Sequence, residues 1–138
     1  MRYHPDNQSF RFAPTDLYHF IHCSHLSLLE RELSLSKIER PPFSDPYAKL
    51  IMERGSRFEA DYVRHLETKN RCIIHINRGD TDKPYIDTLQ AMQEGADYII
   101  QGMLEYDGWG GFADILRKVT DKPSRWGDWS YEVMDTKL

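Results

Sequence analysis

Three apolar stretches in the last third of the chain, residues 98–106, 111–118 and 129–137, require a fold with a sheet at its core. Asp107-Gly108-Trp109-Gly110 between the first two is a tight hairpin signal, and 120–128, with Pro123 and Gly127, is a longer exposed connection to the third. The order predicts a three-stranded antiparallel meander. Two of these strands carry an acid that core packing does not need: Asp114 among Phe112, Ala113, Ile115 and Leu116, and Asp135 after the run Tyr131 to Met134. Residues two apart in a strand share a face, so Phe112, Asp114 and Leu116 are expected to project together, as are Asp135 and Lys137. Pairing of the strands lets the two carboxylates converge. At about 4 Å two like charges repel by roughly 4 kcal/mol at an effective dielectric near 20, so the pair stays ionised only around a cation. Hard oxygen donors with open positions favour magnesium or manganese.

Upstream the pattern is helical. Pro14-Thr15-Asp16 starts a helix, with Thr15 expected as N-cap, and Leu17, Phe20, Ile21, His25, Leu28, Leu29 and Leu33 follow at helical spacing, which predicts one buried side. Residues 1–13 have no period and are expected to form a loose lead-in. Asp45-Pro46 is a second start signal, an N-cap followed by proline at the first helical position. From it, Leu50, Ile51, Gly55, Phe58, Tyr62, Val63 and Leu66 mark an inner stripe, with Glu59 beside it. Gly55 lowers helix stability by about 1 kcal/mol against alanine, which predicts close packing there. Cys72 to Ile76 reads as a short strand, and 88–94 as a helix entered as early as Pro84 and capped by Gly95.

An acid-bearing helix, Gly-Phe-Ala-Asp on one strand and Asp-Thr-Lys ending the next resemble the RecB-like branch of the PD-(D/E)XK nucleases. Gly55-Ser56-Arg57-Phe58-Glu59-Ala60-Asp61-Tyr62 resembles the segment supplying that family's first-helix acid or histidine. Pro14-Thr15-Asp16-Leu17 and Cys23-Ser24-His25-Leu26 resemble the opening of RecB-like nucleases often fused to helicases, so the likeness spans nearly the whole chain. It implies a single α/β domain with a restriction-endonuclease-like core: a lead-in over 1–13, helices over 14–66 and mainly strands over 72–138. It further implies magnesium-dependent hydrolysis of DNA phosphodiester bonds, with Glu59, Asp114, Asp135 and the carbonyl of Thr136 holding the ion and Lys137 orienting the attacking water. Relatives continue with a helix, a strand and a substrate-holding Gln and Tyr, whereas Lys137 here is followed by one residue. The resemblance therefore implies a fragment truncated at its C-terminus, weak or inactive alone. Such a fragment is expected to self-associate or to pair with a separately encoded C-terminal part or a helicase.

Alternatives stand beside these roles. Gln101, among apolar neighbours, either reaches the site or bonds a backbone group; Arg54, Arg57 and Arg64 contact phosphates or form a solvated helix face; Trp109 stacks on a base or packs in the hairpin. His19, His22 and His25 drift off a common helix face and read as surface or partly buried residues rather than ligands. Cys23 and Cys72, with His25 and His75, lack the paired spacing of a zinc site, and two cysteines cannot hold an iron–sulfur cluster. A net charge of −4 gives no global field for nucleic acid, so any grip on phosphate is local. No apolar run is long enough to span a bilayer and no signal core opens the chain, so no membrane partner and a cytoplasmic location are expected. The competing functions are a non-catalytic remnant that binds nucleic acid or a protein, and a small metal-binding domain with no nucleic-acid role.

Overall fold

The computed structural model describes residues 1–42, 44–79 and 83–135, so Thr136 and Lys137 lie outside the described residues. Among the described residues there are four helices, a mixed four-stranded sheet and a two-stranded sheet, an α/β architecture. The chain divides into two compact units, one formed by Met1–Ser44 with Glu105–Gly111, the other by Asp45–Leu104 with Phe112–Leu138.

In the first unit the lead-in is structured, contrary to expectation. Strands β1 (Arg2–His4) and β2 (Ser9–Arg11) pair antiparallel, and Phe12 bridges to Trp109 through hydrogen bonds from Phe12 N to Gly108 O and from Gly110 N to Phe12 O, each 2.8 Å. Aromatic packing supplies what periodicity did not reveal: the rings of Tyr3 and Phe10 lie 5.1 Å apart, and those of Phe12 and Trp109 5.3 Å. Helix α1 (Pro14–His22) takes its N-cap at Ala13 rather than Thr15, because Pro14 occupies the first turn and Asp16 Oδ2 accepts from Ala13 N at 2.7 Å. The expected continuous helix breaks at Cys23, whose extended backbone ends α1 and starts α2 (Ser24–Ser34). A 3.6-residue period does not carry through an extended residue, so the stripe loses its common face. Phe20 and Ile21 are 62% and 69% exposed.

The second unit holds the sheet, in the order β3 (Ile73–His75), β4 (Tyr98–Tyr106), β5 (Trp109–Val119), β6 (Ser130–Met134). The ends of β4 and β5 that belong to the first unit are joined by Asp107-Gly108, both with positive φ (49° and 76°), the conformation of a two-residue type I′ turn. The three consecutive strands β4, β5 and β6 lie side by side as expected, and the sheet has a fourth strand, β3, beside β4. Helix α4 (Lys83–Glu94) is a crossover that returns the chain so that β3 lies parallel to β4, with Ile73 opposite Tyr98. Gly95, at φ 73°, ends α4, and Ala96 N donates to Ala91 O at 3.1 Å.

Two apolar clusters cover the sheet. Ala91, Met92 and Ala96 pack with Ile76, Ile99, Ala113 and Leu116; on the other side Val63 and Leu66 of α3 (Pro46–Glu67) pack with Ile100 and Ile115. Ile99 and Ile115 have no exposed surface, and each burial contributes on the order of 1.5–3 kcal/mol. Thr88, also fully buried, donates from Oγ1 to Pro84 O at 2.7 Å and accepts from Met103 N at 2.9 Å, tying α4 to β4. The N-terminal half of the α3 stripe stays open: Leu50 and Ile51 are 44% and 48% exposed, and among the described residues nothing lies within 4 Å of a Cβ built at Gly55, so no neighbouring strand packs closely there. Among the described residues no helix is long and apolar enough to cross a membrane.

Candidate metal centre

Helix α3 begins where Asp45 caps it, its side chain accepting from Tyr47 N at 2.9 Å, with Pro46 at the first position. Its C-terminal half is held by Val63 and Leu66 against Ile100 and Ile115. Glu59 lies one turn before Val63 on the same side. It therefore reaches the residues adjoining Ile100 and Ile115, which are Gln101 and Asp114.

The strands bend their own rule there. Ile99 packs on the α4 side and Ile100 on the α3 side, yet a Cβ at Gly102 would meet Leu116 Cδ1 at 2.6 Å and Thr88 Cγ2 at 3.4 Å, on the α4 side again. The alternation slips at Gln101, whose φ is 56°. A non-glycine residue in this left-handed region costs on the order of 1–3 kcal/mol and persists only where its surroundings hold it. On β5 a matching slip puts Ala113 and Leu116 in the α4-side cluster and Ile115 in the other. Phe112, Asp114 and Leu116 therefore do not share a face as strict alternation predicts.

The slip turns Gln101 towards α3. Its Nε2 donates to Glu59 Oε1 at 2.5 Å and to Asp114 Oδ1 at 3.4 Å, so one amide stands between the two carboxylates. Its Oε1 accepts from Arg78, from Nε at 2.9 Å and from Nη2 as well. The amide orientation is fixed by chemistry, since the guanidinium only donates and the carboxylates only accept. Arg78 in turn lies with its guanidinium 5.0 Å from the centre of the Phe112 ring.

Asp135 follows Met134, which pairs with Ile115, so it comes level with Asp114 at the end of β6. The Asp114 carboxyl is held above its ordinary 3.8, first by burial, then by the Glu59 charge, then by a hydrogen bond to Asp135 and that residue's charge; the Gln101 amide opposes the rise. Glu59 of α3 and Asp135 at the end of β6 thus both act on Asp114 of β5. They are hard oxygen donors of the kind magnesium or manganese takes. Among the described residues no three His, Cys, Asp or Glu side chains form a ready-made cage, and here the amide supplies the spacing. Magnesium–oxygen distances are about 2.0–2.1 Å, so the carboxylates would have to draw inwards to hold such an ion in place of the amide. The donor set fits a hard cation in type and charge.

Of the residues expected at the site, Glu59, Gln101, Asp114 and Asp135 come together, and Gln101 reaches the acids rather than only a backbone group. Thr136 and Lys137 lie outside the described residues. Arg54 and Arg57 do not join: both are exposed, and positions five and two before Glu59 point away from it on a helix. Arg64 pairs with Asp61 at 3.0 Å. It also borders a groove of about 380 Å³ that extends from Glu59 past Val63 to Glu67 and His75, whose Nε2 and Glu67 Oε1 are 3.3 Å apart. Arg78 was missed. In the sequence it is one residue of the turn-rich Asn77-Arg78-Gly79, and only the parallel pairing of β3 with β4 brings its side chain within reach of Gln101. Cys23 and Cys72 are free and exposed. No protein-family model, curated protein or solved structure matches the chain.

Proposed function

We propose that the chain is the cation-binding part of a RecB-like PD-(D/E)XK nuclease on a restriction-endonuclease-like core, hydrolysing DNA phosphodiester bonds with magnesium. One observation supports this reading above the rest: a helix acid, Glu59, and an acid at the end of β6, Asp135, both bear on the strand acid Asp114, which is held above its ordinary carboxyl value. Desolvation and like charge both push Asp114 up, the kind of perturbation that gathers where a ligand is bound. In this reading Glu59, Asp114 and Asp135, with the carbonyl of Thr136, hold the ion. When bound, the cation makes water more acidic and takes up charge on the phosphoryl oxygens. Lys137 is proposed to orient the attacking water, and Glu59 stands on the half of α3 that Val63 and Leu66 pack against the sheet.

The test is cleavage of duplex DNA by the purified chain with and without magnesium, alongside Asp114→Asn and Asp135→Asn. Magnesium-dependent cleavage should fall on the order of 10²-fold or more in either variant. Cleavage that persists in both variants, or that needs no metal, sinks the proposal. A second reading, a non-catalytic module that binds nucleic acid or a protein, is favoured by the Gln101 amide, which lets the acids stand together without an ion. DNA retention in calcium with no cleavage in magnesium would select it.

A further inference from the structure

The Gln101 amide faces the wrong way for a metal ligand. Its nitrogen points at Glu59 and Asp114, where a cation needs oxygen, and its oxygen is held by two donors of Arg78. Turning the amide over presents oxygen to the acids but sets its NH2 against the guanidinium, donor to donor. That arrangement is stable only if an acceptor comes between them or if Arg78 leaves. A phosphate oxygen meets the requirement: it accepts from the guanidinium and from the amide NH2 together. Arg78 is exposed and braced on Phe112, so it is open to such a ligand from solvent.

We propose that Arg78 and Gln101 form a latch that couples the cation site to a phosphate site at Arg78, so that a cation and a nucleotide phosphate each strengthen binding of the other. Arg78 is a positioning residue here, acting on the acids through Gln101, and the proposal rests on the reading of Glu59 and Asp114 as cation ligands. The left-handed backbone at Gln101 is the local feature that aims the latch at both acids. The coupling is reciprocal by thermodynamic necessity, and couplings of this kind amount to roughly 5–150-fold. Without phosphate the latch is closed and the cation must displace it; with phosphate on Arg78 the displacement is already made.

The experiment is calorimetric titration of manganese into the parent chain, Arg78→Lys, Arg78→Ala and Asp114→Asn, each with and without saturating thymidine 5′-phosphate, which offers a phosphate but no diester to cut. The parent should bind manganese about tenfold more tightly with the nucleotide. Arg78→Lys keeps the charge but loses the two-donor grip, so it should bind manganese more tightly than the parent without nucleotide and gain little from adding it. Arg78→Ala should behave the same way. If Arg78→Lys binds like the parent while Arg78→Ala binds more tightly, Arg78 acts only through its charge and the latch is overturned. It is equally overturned if the nucleotide gain survives in both Arg78 variants. The reading beneath it fails separately, if no chain binds manganese or if Asp114→Asn binds it as the parent does.

Discussion

On the α4 side of the four-stranded sheet the interior is apolar throughout the Ile99, Ala113 and Leu116 cluster, and the buried Thr88 hydroxyl both donates and accepts. On the α3 side the same strands carry apolar packing as far as Ile100 and Ile115, and the adjoining residues are Gln101 and Asp114. One face resolves each interior group by burial or pairing. The other gathers groups that only partly satisfy one another, since one amide serves two carboxylates and Asp114 is pushed towards its neutral form. The difference arises within single strands, from the slip in alternation marked by the left-handed φ of Gln101. Stability and the proposed chemistry are therefore separable by face, and substitutions can test that separation.

The largest effect belongs to the packed face. Ile99→Ala removes a fully buried side chain between α4 and the sheet and should lower stability by about 2–5 kcal/mol in urea unfolding. The folded fraction should bind manganese as the parent does. Parallel loss of stability and cation affinity would show that the two faces are not independent.

Thr88→Val is smaller and sharper, because it keeps volume while leaving Met103 N without its acceptor two residues beyond Gln101. An unsatisfied buried donor costs about 1–3 kcal/mol. Since Met103 lies on the strand that sets Gln101, amide exchange at Met103 should speed up with the loss of stability. An unchanged unfolding midpoint would mean that the hydroxyl is not what joins α4 to β4.

What could be read in advance follows the same division. The meander, the hairpin, the Asp45 cap and the strand at Cys72 to Ile76 rest on local chemistry, and residues 98–135 carry it plainly. Asp114 stood out because charge has no role in a strand that is otherwise apolar, and Glu59 because it borders a helical stripe. The face on which Asp114 sits was not legible, since it depends on a paired slip across β4 and β5 that period-two counting assumes away. Arg78 was hidden for a related reason: its partner is 23 residues away and across a parallel pairing that no local signal specifies. In the first unit, Cys23 broke a periodic run that looked continuous, and aromatic pairs ordered a lead-in without any period.

The smallest effect lies on the site face and concerns protons. Asp114 is raised in the folded chain above its ordinary 3.8, so between those values the folded state binds more proton than the unfolded one. The contribution of Asp114 to stability therefore falls as pH rises through that window, and above it the full penalty of ionising Asp114 beside Glu59 and Asp135 is present. Asp114→Asn removes that titration. In metal-free buffer its melting temperature should exceed the parent's at neutral pH, and the gap should close as the pH is lowered and the parent's carboxyl takes up its proton. At the proposed cation site manganese would compete with the same proton, so it should raise the parent's melting temperature at neutral pH, raise it less in mild acid, and leave Asp114→Asn unmoved. Thermal melts at several pH values, with and without manganese, measure all three responses. A gap between variant and parent that does not change with pH, or a variant that shifts with manganese as much as the parent, would place the unrelieved charge somewhere other than Asp114 and dissolve the contrast between the two faces.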